Sequence, residues 1–221
     1  MKKLRRMLDL TRFLFVQRVK GFEVADEPWL DAETLVFLKQ AIAEADTYLE
    51  FGAGGSTRLA GRSGTPTTTV ECDRFFARAV RAGLAEGHKV TILDADIGTT
   101  IEWGVPLRGK PNDARVAKWR TYIEVPFRHI ASVGRPFPDI VLVDGRFRRA
   151  CALATALEAG KAGASTTLVF DDYFDNERRG YRKVEELLGQ PERLGRSALF
   201  SIASDNRVTQ SDVDEAIRDF H

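Results

Sequence analysis

The chain alternates between short apolar runs and longer segments with helical spacing. Five apolar runs, rich in β-branched residues, predict strands at 47–52, 67–72, 89–94, 139–144 and 166–171. Intervening patterns predict helices at 31–45, 56–62, 74–85, 116–132, 147–159 and 178–189. Residues 192–203 predict one or two further strands, and 211–220 a last helix. This alternation predicts an α/β fold, a Rossmann-like doubly wound sheet between two layers of helices.

The N-terminal region precedes this alternation and predicts an amphipathic helix at 3–20. Its apolar stripe comprises Leu4, Leu8, Phe15 and Val19. We therefore divide the chain into an N-terminal helix with its linker, 1–30, and a domain, 31–221. The stripe is expected to pack on the domain or on a second subunit, which would give a homodimer. The basic residues nearby leave association with a membrane surface as the alternative.

Composition places the chain among ordinary globular domains. It has 221 residues, of which 43% are hydrophobic and 29% charged, and a net charge of +1. The near-neutral balance gives no reason to expect a nucleic-acid partner. Two distant cysteines, Cys72 and Cys151, argue against a disulfide framework and fit a reducing, cytoplasmic location. No apolar run approaches the ~20 residues that span a bilayer.

The most informative motif is a glycine-rich turn between the first strand and the next helix. It reads Glu50-Phe-Gly-Ala-Gly-Gly-Ser56. Gly52 and Gly54 allow positive φ and a close backbone approach, and the helix start offers free N–H donors. A carboxylate at Glu50 would repel a pyrophosphate but suits a cationic amino group. The turn therefore favours S-adenosylmethionine (SAM) over a dinucleotide.

Every predicted strand ends on carboxylates. In chain order these are Glu50, Glu71, Asp73, Asp94, Asp96, Asp144, Asp171 and Asp172. Ligands bind beyond the carboxyl ends of parallel strands, so these groups predict a site at one edge of the sheet. Like charges gathered there require compensation by ligands or cations.

Glu71 lies 19 residues after Gly52, where an acidic side chain can bind a ribose diol. Both NAD and SAM sites share this feature. Thr57 stands where a dinucleotide fingerprint has its third glycine, which counts against NAD.

With these motifs the chain resembles the class I SAM-dependent methyltransferases over about residues 31–203. The resemblance implies a seven-strand sheet with an antiparallel edge. It implies that the methionine part of SAM is held by Glu50, Gly52, Ala53, Gly54, Gly55 and Ser56. Glu71 would then bind the ribose, Asp94 and Asp96 would lie near the adenine, and Asp144 would face the methionine end or the substrate.

Asp144, Asp171 and Asp172 also predict a Mg²⁺ site, because hard oxygen ligands suit that ion. The run Leu168–Tyr173 resembles the metal-binding strand of Mg²⁺-dependent O-methyltransferases. The resemblance implies that the metal would lower the pKa of a substrate hydroxyl. No histidine or lysine stands out beside these residues as a general base.

Three arginines and two tryptophans leave alternatives open. Arg146, Arg148 and Arg149 either neutralise the acidic edge, bind an anionic substrate group or face solvent at a helix start. Trp103 and Trp119 flank a long irregular connection, 97–116, of the kind that often forms a lid. They would line a substrate pocket or pack in the core.

The function predicted from the sequence is methyl transfer from SAM to an oxygen, less readily a nitrogen, of a small molecule. Asp144 is the candidate catalytic residue, and Mg²⁺ assistance is a further prediction. The alternatives are an inactive methyltransferase-like interaction domain and an NAD-linked enzyme.

Overall fold

The computed structural model describes residues 10–107, 110–174 and 180–219. Seven strands form one sheet: β1 Tyr48–Phe51, β2 Thr67–Glu71, β3 Val90–Asp94, β4 Ile140–Val143, β5 Thr166–Phe170, β6 Glu192–Leu194 and β7 Ser197–Ile202. Their spatial order is β3-β2-β1-β4-β5-β7-β6. The order reverses at β1, between β2 and β4.

The first five strands are parallel, and only β7 and β6 run antiparallel, at one edge. Phe51 of β1 pairs in register with Val70 of β2 and Val143 of β4. The carboxyl ends of the three central strands therefore meet at one level. These observations confirm the predicted doubly wound sheet with an antiparallel edge.

Helices cover both faces of the sheet. After the N-terminal helix α1, described below, they are α2 Ala32–Glu44, α3 Gly55–Ser63, α4 Arg74–Ala82, α5 Asp113–Ser132, α6 Arg148–Ala162, α7 Glu185–Leu188 and α8 Gln210–Ala216. Helices α5, α6 and α8 contact one another on one side, and α2, α3 and α4 lie on the other. The predicted three-layer α/β/α arrangement is confirmed.

Successive side chains of β1 point to opposite faces of the sheet and so belong to different cores. Leu49 and Phe51 belong to the larger core, under α5 and α6, whereas Tyr48 belongs to a smaller core under α2 and α3. Glu50 is on the same face as Tyr48 and is fully buried. A carboxylate in a buried central strand requires local hydrogen bonds, since burial without them is costly.

Helix α1 packs on the domain through different residues from those the sequence predicts. Residues 10–15 are α-helical, and the π-helical turn Val16–Lys20 follows. Gln17 is buried and donates to Asp73 Oδ2 at 2.7 Å, while Phe15 and Val19 are 55% and 70% exposed. These two side chains therefore do not pack on the domain, and their contact with a second subunit stays a prediction. Leu4 and Leu8 lie outside the described residues.

The predicted helix at 178–189 is shorter in the structure. A 3₁₀ turn, Tyr181–Val184, leads into the single turn α7, and residues 178 and 179 lie outside the described part. The last helix ends at Ala216, before the predicted end. Across the described ranges, no helix has both the length and the apolar character that a membrane span requires.

The loops after β1 and β4 cross in backbone contact. A Cβ on Gly52, where φ is +100°, would lie 2.8 Å from the Cα of Gly145. A Cβ on Gly145 would lie 2.0 Å from the hydroxyl of Tyr122 and 2.9 Å from the Gly52 nitrogen. Both positions therefore require glycine, and the crossing places the two loops side by side where the strand order reverses.

We expect Gly145→Ala to lower the free energy of unfolding by about 1–3 kcal/mol, because the added methyl group overpacks this crossing. Gly160→Ala is the matched control: its Cβ would meet Asn206 at 3.4 Å, an ordinary contact, and the helix would gain propensity. Urea denaturation of both variants measures the difference. Equal stability of the two would contradict the crossing.

Candidate functional site

Glu50 lies beneath the glycine-rich turn and is held by hydroxyl groups. Ser56 Oγ donates to Glu50 Oε1 at 2.6 Å, and Thr57 Oγ1 donates to the same oxygen at 2.9 Å. The Gly54 N–H donates to Thr57 Oγ1 at 2.9 Å. The carboxyl group therefore fixes the shape of the turn and the first residues of α3. Burial raises the pKa of Glu50 to about 8, although these hydrogen bonds oppose the rise.

The N-terminal segment, residues 21–31, passes over the start of α3. A Cβ on Gly55 would lie 2.2 Å from the carbonyl oxygen of Glu27, so glycine is required for this passage. Arg58 donates to the carbonyl of Val24 at 2.7 Å and pairs with Asp26 at 2.8 Å. The sequence assigns Gly55 only to the cofactor, and its packing against this segment was not predicted.

Glu71 joins the ends of β1 and β2. Its Oε2 accepts the N–H of Ala53 at 3.0 Å, and its Oε1 accepts those of Cys72 and Asp73 at 2.7 and 2.8 Å. The side chain is buried, and burial raises its pKa despite these bonds. Glu71 thus stands directly beside the glycine-rich turn, as the sequence predicts for an acidic group near a ribose.

Asp94, the last residue of β3, and Asp96, two residues beyond it, are both exposed. Asp94 pairs with Arg81 of α4 at 2.9 Å, and Asp96 pairs with Lys118 of α5 at 2.9 Å. The hydrogen bond from Lys118 lowers the pKa of Asp96. The two carboxylates are therefore drawn to helices on opposite faces of the sheet.

Asp144, Asp171 and Asp172 come together as the sequence predicts. One carboxylate oxygen from each of the three residues lies within 4.8 Å of those from the other two. Asp171 is 1% exposed, whereas Asp144 and Asp172 are 36% and 26% exposed. Burial raises the pKa of Asp144 to about 7, although Arg148 opposes the rise.

Two arginines already neutralise much of this cluster. Arg148, 6% exposed, donates to Asp144 Oδ1 at 2.8 Å and pairs with Asp172 at 3.3 Å. Arg196 donates through Nε and Nη2 to the two oxygens of Asp171, both at 3.1 Å, and pairs with Asp172 at 3.1 Å. The oxygen donors are of the kind Mg²⁺ prefers, but each carboxylate is engaged by a guanidinium. The arrangement fits internal ion pairing better than a metal ion.

Arg196 is a site residue that the sequence analysis missed. It follows β6, and the antiparallel return of β7 places it beside the end of β5. Ser197 Oγ also donates to Asp171 at 2.9 Å and contacts Thr34 Oγ1 at 3.0 Å, which links the cluster to the start of α2. No local sequence motif marks Arg196 and Ser197 as site residues, so their place beside Asp171 is known only from the pairing of β7 with β5.

The tryptophans, Arg149 and the cysteines singled out in the sequence differ in burial and in their contacts. Trp119 is fully buried in the core, whereas Trp103 is 69% exposed. Arg149 is buried and pairs with Asp219. Cys72 and Cys151 are free thiols, and burial raises the pKa of both.

Comparison with solved structures finds relatives of this chain. A methyltransferase-like protein from Silicibacter pomeroyi DSS-3 is 36% identical in sequence to this chain, with a TM-score of 0.71. The aligned region covers 88% of this chain and 98% of that protein. A methyltransferase from Podospora anserina with bound S-adenosylhomocysteine is 14% identical, covers 77% and 64%, and has a TM-score of 0.44. The N-methyltransferase NodS from Bradyrhizobium japonicum WM9, also with S-adenosylhomocysteine, is 14% identical, covers 87% and 96%, and scores 0.40. Neither a family model nor a curated protein matches the chain.

The sheet order, the glycine-rich turn and the acidic strand ends define a Rossmann-like methyltransferase domain. The 36% identity over nearly the whole of both chains shows the family. This protein belongs to the class I SAM-dependent methyltransferases.

We expect Glu50→Gln to flatten the pH dependence of stability. The pKa of Glu50 is about 8 in the folded chain against an ordinary 4.5. Between these values the folded protein binds the extra proton, so the wild type loses stability relative to the variant as pH rises. The loss is limited to about 1.4 kcal/mol per pH unit. The amide can still accept from Ser56 and Thr57.

Urea denaturation at pH 5, 6, 7 and 8 measures this difference. Glu86→Gln, at an exposed carboxyl, controls for the loss of one acidic charge. A constant difference between wild type and Glu50→Gln across the range would show that Glu50 ionises normally in the folded protein.

Proposed function

We propose that this protein transfers a methyl group from SAM to a hydroxyl oxygen of a small molecule. The observation that carries the proposal is the joining of Glu50, Glu71 and the glycine-rich turn into one hydrogen-bonded unit at the switch in strand order. SAM supplies an activated methyl group on a sulfonium centre. The protein's part is chiefly to hold donor and acceptor in line.

Each side chain of this unit has a proposed part in binding. The backbone of Gly52 to Ser56 and the start of α3 offer N–H donors to the methionine carboxylate. Glu71 faces the turn at the distance of a hydrogen bond from Ala53, and would exchange part of its backbone bonds for the ribose hydroxyls. Glu50 is fully buried, so we assign it to shaping the turn through Ser56 and Thr57. Asp94 and Asp96 would lie near the adenine.

Asp144 is the proposed proton acceptor. It follows β4, next to the crossing of Gly52 and Gly145, and its side chain is 36% exposed. A pKa of about 7 leaves the carboxylate substantially ionised at neutral pH. Such a group can take the proton that an acceptor hydroxyl loses as its oxygen gains the methyl group.

The remaining predictions concern the setting of the reaction. The sequence predicts Mg²⁺ assistance through Asp144, Asp171 and Asp172, but the ion pairs to Arg148 and Arg196 favour a site without the metal, which the last experiment below tests. A cytoplasmic location and a homodimer formed through α1 stay predictions. An NAD-linked enzyme and an inactive interaction domain are the alternatives that the first experiment below separates.

We expect Gly54→Ala to weaken S-adenosylhomocysteine binding at least tenfold without changing stability. A Cβ on Gly54 would meet no atom within 4 Å, and its φ of 168° is extended, so the fold accepts alanine. The methyl group would stand where the second glycine of such a turn lets a ligand approach the backbone. Calorimetric titration and thermal unfolding of both proteins test this.

The control is Gly160→Ala, a matched substitution in α6 outside the turn. If the wild type binds NAD instead, the enzyme class is different. If it binds neither ligand, the interaction domain is favoured. Unaltered binding by Gly54→Ala would remove the turn from the cofactor site.

We expect the wild type to bind no Mg²⁺ up to about 1 mM, and Arg196→Ala to bind it. Removing this guanidinium leaves three carboxylates with Arg148 as their ion-pair partner. The uncompensated negative charge would then favour binding of a cation. Calorimetry with MgCl₂ measures the difference, and Arg193→Ala, at an exposed arginine nearby, is the control. Tight Mg²⁺ binding by the wild type would instead support the metal-assisted reaction.

A further inference from the structure

Arg146 differs from the other two arginines that follow Asp144. Arg148 is paired with Asp144 and Asp172, and Arg149 is paired with Asp219. Arg146 is half-buried, and its Nε, like that of Arg149, is buried with no hydrogen-bond partner. Within the described ranges it forms no ion pair. A partly desolvated guanidinium without a carboxylate is costly unless a ligand compensates it.

The backbone around Arg146 is fixed at the carboxyl end of β4. Its N–H donates to the Tyr122 hydroxyl at 3.4 Å, and its carbonyl accepts from Cys151 Sγ at 3.2 Å. Gly104, of the long connection, covers its stem: a Cβ there would lie 3.6 Å from Arg146 Cγ and 2.7 Å from Cys72 Sγ. Arg146 therefore lies under this connection, two residues after the proposed proton acceptor.

Next to Gly104, two indoles form an exposed stack. Trp29 and Trp103 are 81% and 69% exposed, and their ring centroids lie 6.2 Å apart at an angle of 30°. Trp103 holds a φ of +63°, a left-handed conformation that disfavours a bulky side chain. The carbonyl of Trp29 accepts a hydrogen bond from Arg196. The backbone of Trp29 therefore contacts an arginine of the acidic cluster. Trp103 precedes Gly104, which lies over Arg146 at the end of β4.

We propose that Arg146, Trp29 and Trp103 form the subsite for the methyl acceptor, and that the acceptor is a flat molecule carrying an anionic group. The guanidinium would bind a carboxylate or phosphate through charge-assisted hydrogen bonds. The indoles would cover the flat face, a contact that exposed aromatic rings favour strongly. This inference rests on the proposed function, since it names the substrate class of the same site.

The test uses two pairs of probes of nearly equal shape, each an anionic carboxylate with its neutral amide. They are 4-hydroxybenzoate with 4-hydroxybenzamide, and indole-3-acetate with indole-3-acetamide. Ligand-observed NMR titrations are run on the full chain with and without S-adenosylhomocysteine. We expect the wild type to bind at least one anionic probe at least tenfold more tightly than its amide.

Three variants separate the parts of the subsite. Arg146→Gln is expected to reduce affinity for that anion to the level of the amide and to leave amide binding unchanged. Trp103→Gly suits the left-handed backbone, so it should keep the melting temperature while weakening both members of the pair at least fivefold. Arg128→Gln, on the exposed surface of α5, is the charge-matched control and should change neither. All three should bind S-adenosylhomocysteine within twofold of the wild type.

The outcomes keep the two proposals distinct. No preference for either anion in the wild type, or a preference that survives Arg146→Gln, would overturn the subsite. Failure to bind S-adenosylhomocysteine, with the anion preference intact, would overturn the proposed function and the acceptor role of this subsite, and would leave only an anion-binding site formed by the same residues. A shift from dimer to monomer in Trp103→Gly would assign the indoles to a second copy of the chain and overturn their role here.

Discussion

The guanidinium of Arg148 is the interaction on which the carboxyl edge of the sheet depends. It donates to Asp144 Oδ1 at 2.8 Å and to the Asp171 carbonyl at 2.5 Å, so one buried group joins the ends of β4 and β5. Without it, three carboxylates within 4.8 Å would repel one another in a mostly buried setting. Removing one partner of such a buried pair typically destabilises a protein by about 3–5 kcal/mol. The charged groups that form the candidate site therefore also stabilise the sheet.

The acidic groups of this edge are satisfied in two different ways. Glu50 and Glu71 receive hydrogen bonds from hydroxyls and backbone amides, which carry no net charge, so burial raises the pKa of both. Asp144, Asp171 and Asp172 receive guanidiniums, which supply positive charge directly, although burial still raises the pKa of Asp144. At the carboxyl edge of the sheet, the groups beside the glycine-rich turn are thus held by neutral donors and those beside β4 and β5 by ion pairs.

The sequence was sufficient for the sheet and for the ends of its strands, because alternation and glycine turns are local signals. It predicted that Asp144, Asp171 and Asp172 converge, since parallel strands end at one edge. It did not predict that Arg196 neutralises them, because that contact depends on the antiparallel pairing of β7 with β5. It also did not predict the π-helical turn Val16–Lys20 or the buried contact of Gln17 with Asp73, because both depend on packing against the domain. The local sequence pattern thus predicted where the acidic side chains lie. Which arginines neutralise them became clear only from the pairing of the strands.

The segment over α3 and the sheet beneath it differ greatly in how firmly they are held. The segment is attached by exposed ion pairs, such as Arg62 with Glu27 at 3.3 Å and Lys39 with Glu27 at 2.9 Å. Pairs of this kind contribute about 0–1 kcal/mol each. The strands below are buried along their whole length at β1, β2 and β4. The stronger attachment of the segment is therefore Arg58, whose mostly buried side chain binds Val24 and Asp26, while the crossing of Gly52 and Gly145 keeps the turn itself in place.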